Sequence, residues 1–483
     1  MAVLLRSFQY RPAEVYLALK LFWIALQSEP ETIMEGQMTR WKTMPGIFLW
    51  ILGATTMLWS QAPQLVAVRA GRLFDSKSGQ MLTNQVILVS GERITDVGPE
   101  SRVKIPSGTQ VIDLSQATVL PGLIDGHTHI FNAGHEAVTH ILNDRHEDPK
   151  AGGAPDVNLI NDTREYRAMV ALASAQKDLR AGFTSLRDLM NHGNGYSDVD
   201  VRNVINKGLF MGPRMQVSTL GLVATGEGTV GSWEVNLPPA EQIADSPWKI
   251  REAVREQIHW GADWIKFHAS AGHHFEPDGR LVWDGTYSLE EIQAIVDETH
   301  RRGKKAACHA YGGEGVANCV KAGADTLEHG FDLDDDAILN MIKEKGIYVE
   351  PTFLDSTMTR ERDLKDTDGK FSLAAIREKT AKKIIFSGVK ISFGSGVGPF
   401  PHGSQAVEFE YLVHFGMTPA QAIQTATATA AEMMGWQDRI GSLEKGKYAD
   451  IIAVAGDPLK DITELQRVKF VMKGGEVVRN DMK

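Results

Sequence analysis

The chain has 483 residues, 43% of them hydrophobic and 23% charged, which is the composition of a folded protein with one large domain or two to three ordinary ones. Its formal net charge is −10 at pH 7, and it contains no long run of Lys or Arg. These features argue against nucleic acid as a partner, because a phosphate-binding surface would need such cations. A small molecule is the expected partner, and the composition leaves homo-oligomerisation open.

The two cysteines, Cys308 and Cys319, are too few for a disulfide framework. Cys308 lies in an apolar run that is typical of a strand. We therefore expect a reduced thiol at Cys308, packed in the core like any small apolar side chain.

The first 62 residues predict an N-terminal extension followed by a secretory signal peptide. The stretch MTRWKTMPGIFLWILGATTMLWSQA, residues 38–62, has a basic start, an apolar centre of roughly 14 residues and small residues at its end. We therefore expect a secreted or periplasmic protein with no stable membrane partner after cleavage. The apolar run from Val15 to Leu26 leaves a membrane-bound N-terminal segment as the alternative.

Strand-like segments occupy both ends of the remaining chain. Residues 65–119 contain short alternating or apolar runs divided by turn residues, and the same pattern returns in residues 441–456 and 468–480. Two strand-rich ends around a different middle predict one discontinuous β-sandwich domain, made of residues 63–118 and 437–483.

Between these ends, eight strand-like apolar runs alternate with helical patterns. Helix starts are marked by the capping-box pair Ser288 and Glu291, and by Ser246-Pro247 and Thr418-Pro419. Eight β/α units predict an α/β protein with a (β/α)8 TIM barrel over residues 119–436. The strand-like runs are residues 118–127, 183–190, 214–222, 263–269, 305–310, 325–330, 347–353 and 389–395.

His127 and His129 close the first of these runs, where a TIM barrel builds its active site. Residues two apart in a strand point to the same side, so one cation can bind both imidazoles. The alternative is a pair of histidines that merely bond to their neighbours. It is the weaker interpretation, because the preceding residues are nearly all apolar and a buried charged pair would repel.

Lys266 places an ammonium group in an apolar strand, where an unpaired charge is costly. Carboxylation of the amine gives an anionic oxygen ligand that can bridge two divalent cations. The alternative is an ion pair with a buried acid such as Glu328, which is the better interpretation of Lys266 taken alone. Beside four strand-end histidines, we favour the bridging ligand.

His309 and His329 end two consecutive predicted strands. Each alone is more often a packed or hydrogen-bonded residue, but both fall at the same end of the same barrel. Together they are expected to complete a binuclear metal site. Turns or solvent explain most of the other histidines near this face, namely His192, His268, His273 and His274.

Five motifs in combination resemble the metal-dependent amidohydrolase superfamily, from about residue 65 to the C-terminus. Within it, the chain most resembles the Xaa-Pro dipeptidase-like and imidazolonepropionase-like branch. The motifs are PGLIDGHTHI (121–130), WIKFHASAG (264–272), CHAYG (308–312), LEHG (327–330) and GSLEKGKYADIIAV (441–454).

The resemblance implies two zinc ions, the more buried one bound by His127 and His129 and the more exposed one by His309 and His329. It also implies that Lys266, carboxylated to N6-carboxylysine, bridges both ions, and that a water between them attacks the scissile carbonyl. Imidazolonepropionases use a single metal and lack the lysine. The implied reaction is therefore hydrolysis of an amide, a dipeptide or an N-acyl amino acid.

The resemblance further implies a catalytic aspartate after the eighth strand, in a GTD pattern. This chain has Gly394, Ser395 and Gly396 there, so Gly396 occupies the place of the aspartate. Loss of a general acid/base costs roughly 10²- to 10⁴-fold in rate. We therefore expect impaired hydrolysis, rescued only by another group such as a second water or His402.

Three alternatives remain. One is a catalytically silent, metal-retaining binding protein of the same fold, and another is an imidazolonepropionase-like or lactone hydrolase. The third takes GSGVG, residues 394–398, as a phosphate-binding loop, although two nearby prolines break its row of N–H donors. Tyr311 and His402 are the candidate substrate-binding residues, and core packing is an equally good explanation of Tyr311.

Overall fold

The computed structural model describes residues 65–132, 162–227, 241–278, 280–354 and 372–482. The predicted N-terminal extension and signal peptide lie outside these ranges. Within them, no helix combines the length and the apolar character that crossing a membrane requires.

The strands, in chain order, are β1 (Leu65–Asp75), β2 (Gln80–Ser90), β3 (Arg93–Pro99), β4 (Gln110–Pro121), β5 (Leu123–Thr128), β6 (Phe183–Asp188), β7 (Arg214–Val217), β8 (Leu222–Val223), β9 (Gln242–Ile243), β10 (Trp264–His268), β11 (Ser270–Phe275), β12 (Leu281–Gly285), β13 (Lys305–Ala310), β14 (Thr326–His329), β15 (Tyr348–Glu350), β16 (Lys390–Ile391), β17 (Ile451–Val454), β18 (Phe470–Lys473) and β19 (Glu476–Asn480).

The α-helices are α1 (Arg164–Arg180), α2 (Ser197–Asn206), α3 (Ser246–Trp260), α4 (Leu289–Arg301), α5 (Gly313–Ala322), α6 (Asp336–Lys345), α7 (Leu373–Ser387), α8 (Glu408–His414), α9 (Pro419–Gln424) and α10 (Ala430–Met433). A π-helical turn over Thr425–Thr429 joins α9 to α10, and 3₁₀ turns occupy Gln405–Val407 and Ile462–Arg467.

One seven-stranded sheet takes strands from both ends of the described chain, in the order β19-β18-β17-β4-β1-β2-β3. Strand β4 connects strands β1–β3 to strands β17–β19. It pairs with β1 in parallel, and its last residues pair with β17 antiparallel. Alternate residues of these strands, such as Val66 and Val68 of β1 and Ala453 of β17, enter one buried cluster. The sandwich arrangement and the domain boundaries near residues 118 and 437 stay predictions.

The middle of the chain has a fold of the TIM-barrel type, and each of the eight predicted runs contains a strand. The strands are parallel and lie in two sheets, ordered β5-β6-β7 and β16-β15-β14-β13-β10-β8-β9. Backbone N–H groups of Gly126 and Asp263 donate across the gaps between the sheets, to Phe393 and Val217. The described strands do not close into the continuous (β/α)8 ring that was predicted, because no strand pairing joins β5 to β16 or β7 to the second sheet.

Helix starts follow the predicted caps with one correction. Ser288 caps α4 in a capping box with Glu291, and Thr418 caps α9 in front of Pro419. The N-cap of α3 is Asp245, not Ser246, which already belongs to the first turn of the helix.

The cysteines contradict the sequence-based expectation. Cys308 of β13 and Cys319 of α5 form a disulfide, with their Cα atoms 6.4 Å apart. After β13 the chain turns into α5, which packs back onto the strand and brings the two side chains together. The prediction of a reduced thiol at Cys308 is therefore wrong.

Candidate metal centre

A cavity of about 220 Å³ lies at the carboxyl ends of the parallel strands. Three of the predicted metal-binding histidines and Lys266 reach it, and the fourth histidine, His127, contacts the ring of His129. The structure therefore brings the five predicted ligands to one place. The described lining consists of His129, Asn132, Met190, His192, Lys266, His268, His309, Tyr311, His329, Thr352, Gly396, Pro399 and Phe400.

His127 and His129 point ring nitrogens at each other from the end of β5, with their Nε2 atoms 3.2 Å apart. On its other side, His127 Nδ1 lies 2.8 Å from Glu328 Oε2, so the ring proton belongs on Nδ1. His127 Nε2 then presents a lone pair toward His129, as a metal ligand does. The neighbouring Gly126 leaves room for Glu350, since a Cβ there would lie 2.0 Å from Glu350 Oε1.

His309 and His329 form the second pair, from the ends of β13 and β14. His329 Nε2 lies 2.9 Å from His309 Nδ1, and His329 Nδ1 lies 2.8 Å from the Thr352 hydroxyl. His329 has a positive φ of 76°, which is costly for a residue with a side chain. Such strain at the mouth of the cavity is typical of a functional site.

Burial lowers the pKa of every imidazole in the two pairs. Burial first, and then the charge of Lys266, lowers the pKa of His127 to about 4. Burial likewise holds the pKa values of His129, His309 and His329 well below the usual range. All four rings are therefore neutral near pH 7, which is the form that binds a metal ion.

Lys266 lies in β10 with only 1% of its surface exposed. Its Nζ has no hydrogen-bond partner among the residues that the structure describes. Burial lowers its pKa to about 8, because the charged form is poorly solvated there. The predicted alternative, an ion pair with Glu328, is not formed.

Glu328 instead belongs to a buried network behind the histidines. Arg187 donates from Nη2 to Glu328 Oε1 at 2.9 Å and also to Glu350. Burial opposes ionisation of Glu328, but Arg187 and His127 outweigh it and hold the pKa of Glu328 well below its usual range.

His127, Glu328 and Glu350 place ligand atoms within 4.8 Å of one another. A metal ion between them would have to displace the Arg187 cation from the two carboxylates. We therefore assign this group to support of the neighbouring histidines. Sequence reasoning missed Arg187 and Glu350, although charged residues inside apolar strand runs are a signal for such a network.

His192 and His268 are two further cavity residues that sequence reasoning assigned to turns or solvent. The Nε2 atom of each lacks a hydrogen-bond partner within the described ranges. The His268 ring stacks on that of His309 with centroids 4.3 Å apart, and the His192 ring contacts that of His129. They form the polar wall beside the two histidine pairs.

Of the two predicted substrate-binding residues, Tyr311 lines the cavity, with its ring 4.5 Å from that of His309. His402 is not part of the described lining. Its Nδ1 lies 2.9 Å from Asp178 Oδ2 and its Nε2 lies 3.1 Å from the Asn132 carbonyl. His402 thus joins the loop after β16 to α1 and to the backbone of His129 and Asn132, and its ring does not line the cavity.

Gly396 lines the cavity and offers no side chain to it. Its N–H donates to the His127 carbonyl at 2.8 Å, while the Ser395 N–H donates to Asp125 and the Val397 N–H to the Ser395 hydroxyl. These donors are already used within the protein. The alternative of a phosphate-binding loop therefore loses its support.

Comparison with known proteins gives matches along most of the chain. The model of the amidohydrolase family matches residues 118–478. Ochratoxinase from Aspergillus niger is 31% identical over 450 residues, which cover 86% of this chain and 87% of the fungal protein. Imidazolonepropionase from Fusobacterium nucleatum is 23% identical over 383 residues, which cover 76% of this chain and 84% of the bacterial protein. The crystal structure of a Xaa-Pro dipeptidase with bound methionine in the active site is 30% identical with a TM-score of 0.74, covering 86% of this chain and 100% of the other.

Proposed function

Because this chain belongs to the amidohydrolase family and is a hydrolase, we propose that it cleaves the C–N bond of small amides, dipeptides or N-acyl amino acids. It would do so with two divalent ions, zinc by preference, held by the residues at the strand ends. The names of the similar proteins support this substrate range, since they include an ochratoxinase and a Xaa-Pro dipeptidase.

One observation carries the proposal, namely two pairs of neutral imidazoles beside an unpartnered amine in one cavity. The Glu328 carboxylate fixes the proton of His127 on Nδ1, so its Nε2 lone pair faces His129 with no proton to share. The Met190 carbonyl lies 3.4 Å from His129 Nδ1, and with the His129 proton there the two Nε2 atoms present lone pairs 3.2 Å apart, which a cation between them would stabilise. The residues therefore fit a metal ion.

Lys266 is proposed as the bridging ligand in its carboxylated form. Its amine is buried and unpartnered, and its lowered pKa leaves part of it neutral near pH 7. A neutral amine adds to carbon dioxide and releases a proton, which gives a carbamate anion. Two bound cations would in turn stabilise this anion.

When bound, the ions would lower the pKa of a bound water and polarise the substrate carbonyl. The protein's own residues would hold this chemistry in place. His127 and His129 are oriented from behind by Glu328 and the Met190 carbonyl. Tyr311 lines the same cavity with its ring against that of His309, and we propose that it contacts the bound substrate.

The test combines metal analysis with a substrate screen. The protein is loaded with zinc chloride, its zinc content per chain is measured, and dipeptides and N-acyl amino acids are offered with and without a chelator. We expect two zinc ions per chain and slow turnover that the chelator abolishes. Turnover that survives removal of all metal would contradict the proposal.

A second candidate is a metal-retaining binding protein without catalysis, and Gly396 is the observation that favours it. At this position no side chain can accept or return a proton. Zinc binding with no cleavage at all would favour this candidate. Appearance of turnover in Gly396→Asp would then identify the missing carboxylate as the cause.

We also propose that residues 38–62 direct export of the protein. The disulfide between Cys308 and Cys319 supports an oxidising compartment, since such bonds are rare where thiols are kept reduced. N-terminal sequencing of the protein from its natural host should find a mature chain that starts directly after Ala62. A retained N-terminus would favour the membrane-bound segment instead.

A further inference from the structure

The cavity has one wall that is bare backbone, at Gly396. A Cβ added there would lie 3.4 Å from the Thr352 methyl carbon and would meet no other atom closer. The space beside Gly396 therefore admits a small group. It belongs to the same cavity as His129 and Lys266.

Two bound divalent ions would bring more positive charge to this space than the residues around it can balance. No described residue that lines the cavity is an aspartate or a glutamate. Of the carboxylates behind the wall, Glu328 and Glu350 are held by Arg187, and Asp125 accepts from the N–H and the hydroxyl of Ser395. Two divalent ions would be met only by a carboxylated Lys266 and one hydroxide, which leaves excess positive charge in a buried place.

We propose that a small carboxylate, of the size of formate or acetate, binds beside Gly396 and completes the site. This inference rests on the proposed function, because the positive charge comes from the bound ions. Acetate has the heavy atoms of an aspartate side chain, so it can occupy the space without a bond to the backbone. The same carboxylate chemistry can also come from the substrate, if the substrate carries its own carboxylate close to the scissile bond.

The bound carboxylate would carry the proton during hydrolysis, because no described residue that lines the cavity is a carboxylate. It accepts one proton of the water whose oxygen adds to the scissile carbonyl carbon. It returns that proton to the leaving nitrogen as the C–N bond breaks, and the anion is thereby regenerated. The net reaction consumes one amide and one water and yields one carboxylic acid and one amine.

The first experiment measures thermal unfolding of the zinc-loaded protein in sodium formate, sodium acetate and sodium chloride at equal ionic strength. We expect a saturable rise of the midpoint by roughly 3 °C in formate and acetate over chloride. Gly396→Asp, which supplies its own carboxylate, should lose this rise. Aspartate tolerates the positive φ of 69° at this position better than most residues.

Gly108→Asp is the matched control. Gly108 also has a positive φ, of 81°, and a side chain there would meet nothing within 4 Å. This variant should keep the full response to formate. Gly396→Asn fills the same space without a charge and should lose the response as well, which guards against a folding defect in a single variant.

The second experiment measures turnover of an N-acyl amino acid and of its neutral amide, each with and without formate. A free-anion site predicts that formate raises turnover of both substrates by about ten-fold or more. A site filled by the substrate predicts turnover of the acid alone, with no gain from formate. Either outcome supports a carboxylate in the site, and its loss in Gly396→Asn but not in Gly108→Asp would locate that carboxylate beside Gly396.

The inference is overturned by either of two results. In the first, formate and acetate do not stabilise the zinc-loaded wild type, formate does not raise its turnover, and the acid substrate is not preferred. In the second, Gly396→Asp responds to formate as the wild type does. Zinc uptake with measurable turnover under those conditions would leave the proposed function standing. Failure to take up zinc would overturn both, because the positive charge would then be missing.

Discussion

At the scale of single residues, Lys266 lowers the stability of the metal-free protein, because its amine is buried without a hydrogen-bond partner among the described residues. A buried amine without a partner costs free energy in the metal-free protein, and the strand around it is otherwise apolar. The neighbouring carboxylates are turned away from it and toward Arg187. The residue is therefore best explained by what it does when the site is filled.

Lys266→Met tests this explanation, because methionine has a similar length and needs no partner. We expect the metal-free variant to be at least as stable as the wild type, while zinc content falls and turnover drops by about 10²-fold or more. Urea unfolding and metal analysis measure the two effects. Lys305→Met serves as the control, since Lys305 lies at the other end of the neighbouring strand β13 and should leave zinc content unchanged.

The buried imidazoles also predict how stability depends on pH. His127 has a folded pKa of about 4, against about 6.5 in the unfolded chain, so below pH 6.5 the unfolded state takes up a proton that the folded state does not. The free energy of unfolding of the metal-free protein should therefore fall as the pH drops from 6.5 toward 4. For His127 alone the slope approaches ~1.4 kcal/mol per pH unit.

Urea unfolding at a series of pH values measures this slope. His127→Gln removes one titrating group and should make the slope shallower between pH 6.5 and 4. An identical slope in the variant would mean that His127 is protonated in the folded state and is not presented as a neutral ligand.

At the scale of elements, the ends of the strands build the site, and a disulfide holds one of these strands to its helix. The bond between Cys308 and Cys319 closes a short loop from β13 to α5, directly beside His309. Both cysteines are fully buried. We infer that the bond stabilises the fold locally and keeps β13 in register with its neighbours.

Replacing both cysteines by alanine should lower the free energy of unfolding by up to about 3 kcal/mol, the amount expected for a loop of this length. Thiol titration of the unfolded protein, with and without reductant, should find two thiols only after reduction. Two free thiols before reduction would restore the sequence-based expectation. Zinc content should stay the same, because neither sulfur faces the cavity.

The elements themselves were largely predictable from the sequence. Apolar runs gave the parallel strands, and the Ser288 and Thr418 patterns gave two helix starts, because these signals depend on neighbouring residues only. The four strand-end histidines and Lys266, which the structure brings together at the cavity, were likewise recognised from the sequence. The Arg187 network and the placement of His402 were missed, since each depends on partners far apart in the chain that only the packed fold brings together. The disulfide was missed although its cysteines are only 11 residues apart, because it depends on how α5 packs back onto β13.

At the scale of the whole molecule, strand β17 belongs to two hydrophobic cores at once. Ile452 and Val454 pack into the cluster around the parallel strands, whereas Ile451 and Ala453 pack into the cluster of the seven-stranded sheet. Residues Val119 and Leu120 of β4 are divided in the same way. The two parts of the described protein therefore share strands, which links their stabilities.

We predict that Ile451→Ala and Ile452→Ala each lower the same single thermal transition, although the two side chains face different cores. Each deletion should cost about 3 kcal/mol, as is usual for a fully buried isoleucine. Differential scanning calorimetry measures this, with the exposed Val477→Ala as control. Two separate transitions, of which each variant moved only one, would mean that the two parts unfold independently.

The pairing of β4 with β17 also has a consequence for how the protein is made. The ribosome synthesises β4, and with it the adjoining strand β5 that carries His127, long before it synthesises the partner strand β17. Until then, the last residues of β4, which lead directly into β5, lack their neighbour. The strand that carries His127 thus reaches its final support only after β17 has been made, so metal uptake under the proposed function should follow the synthesis of β17.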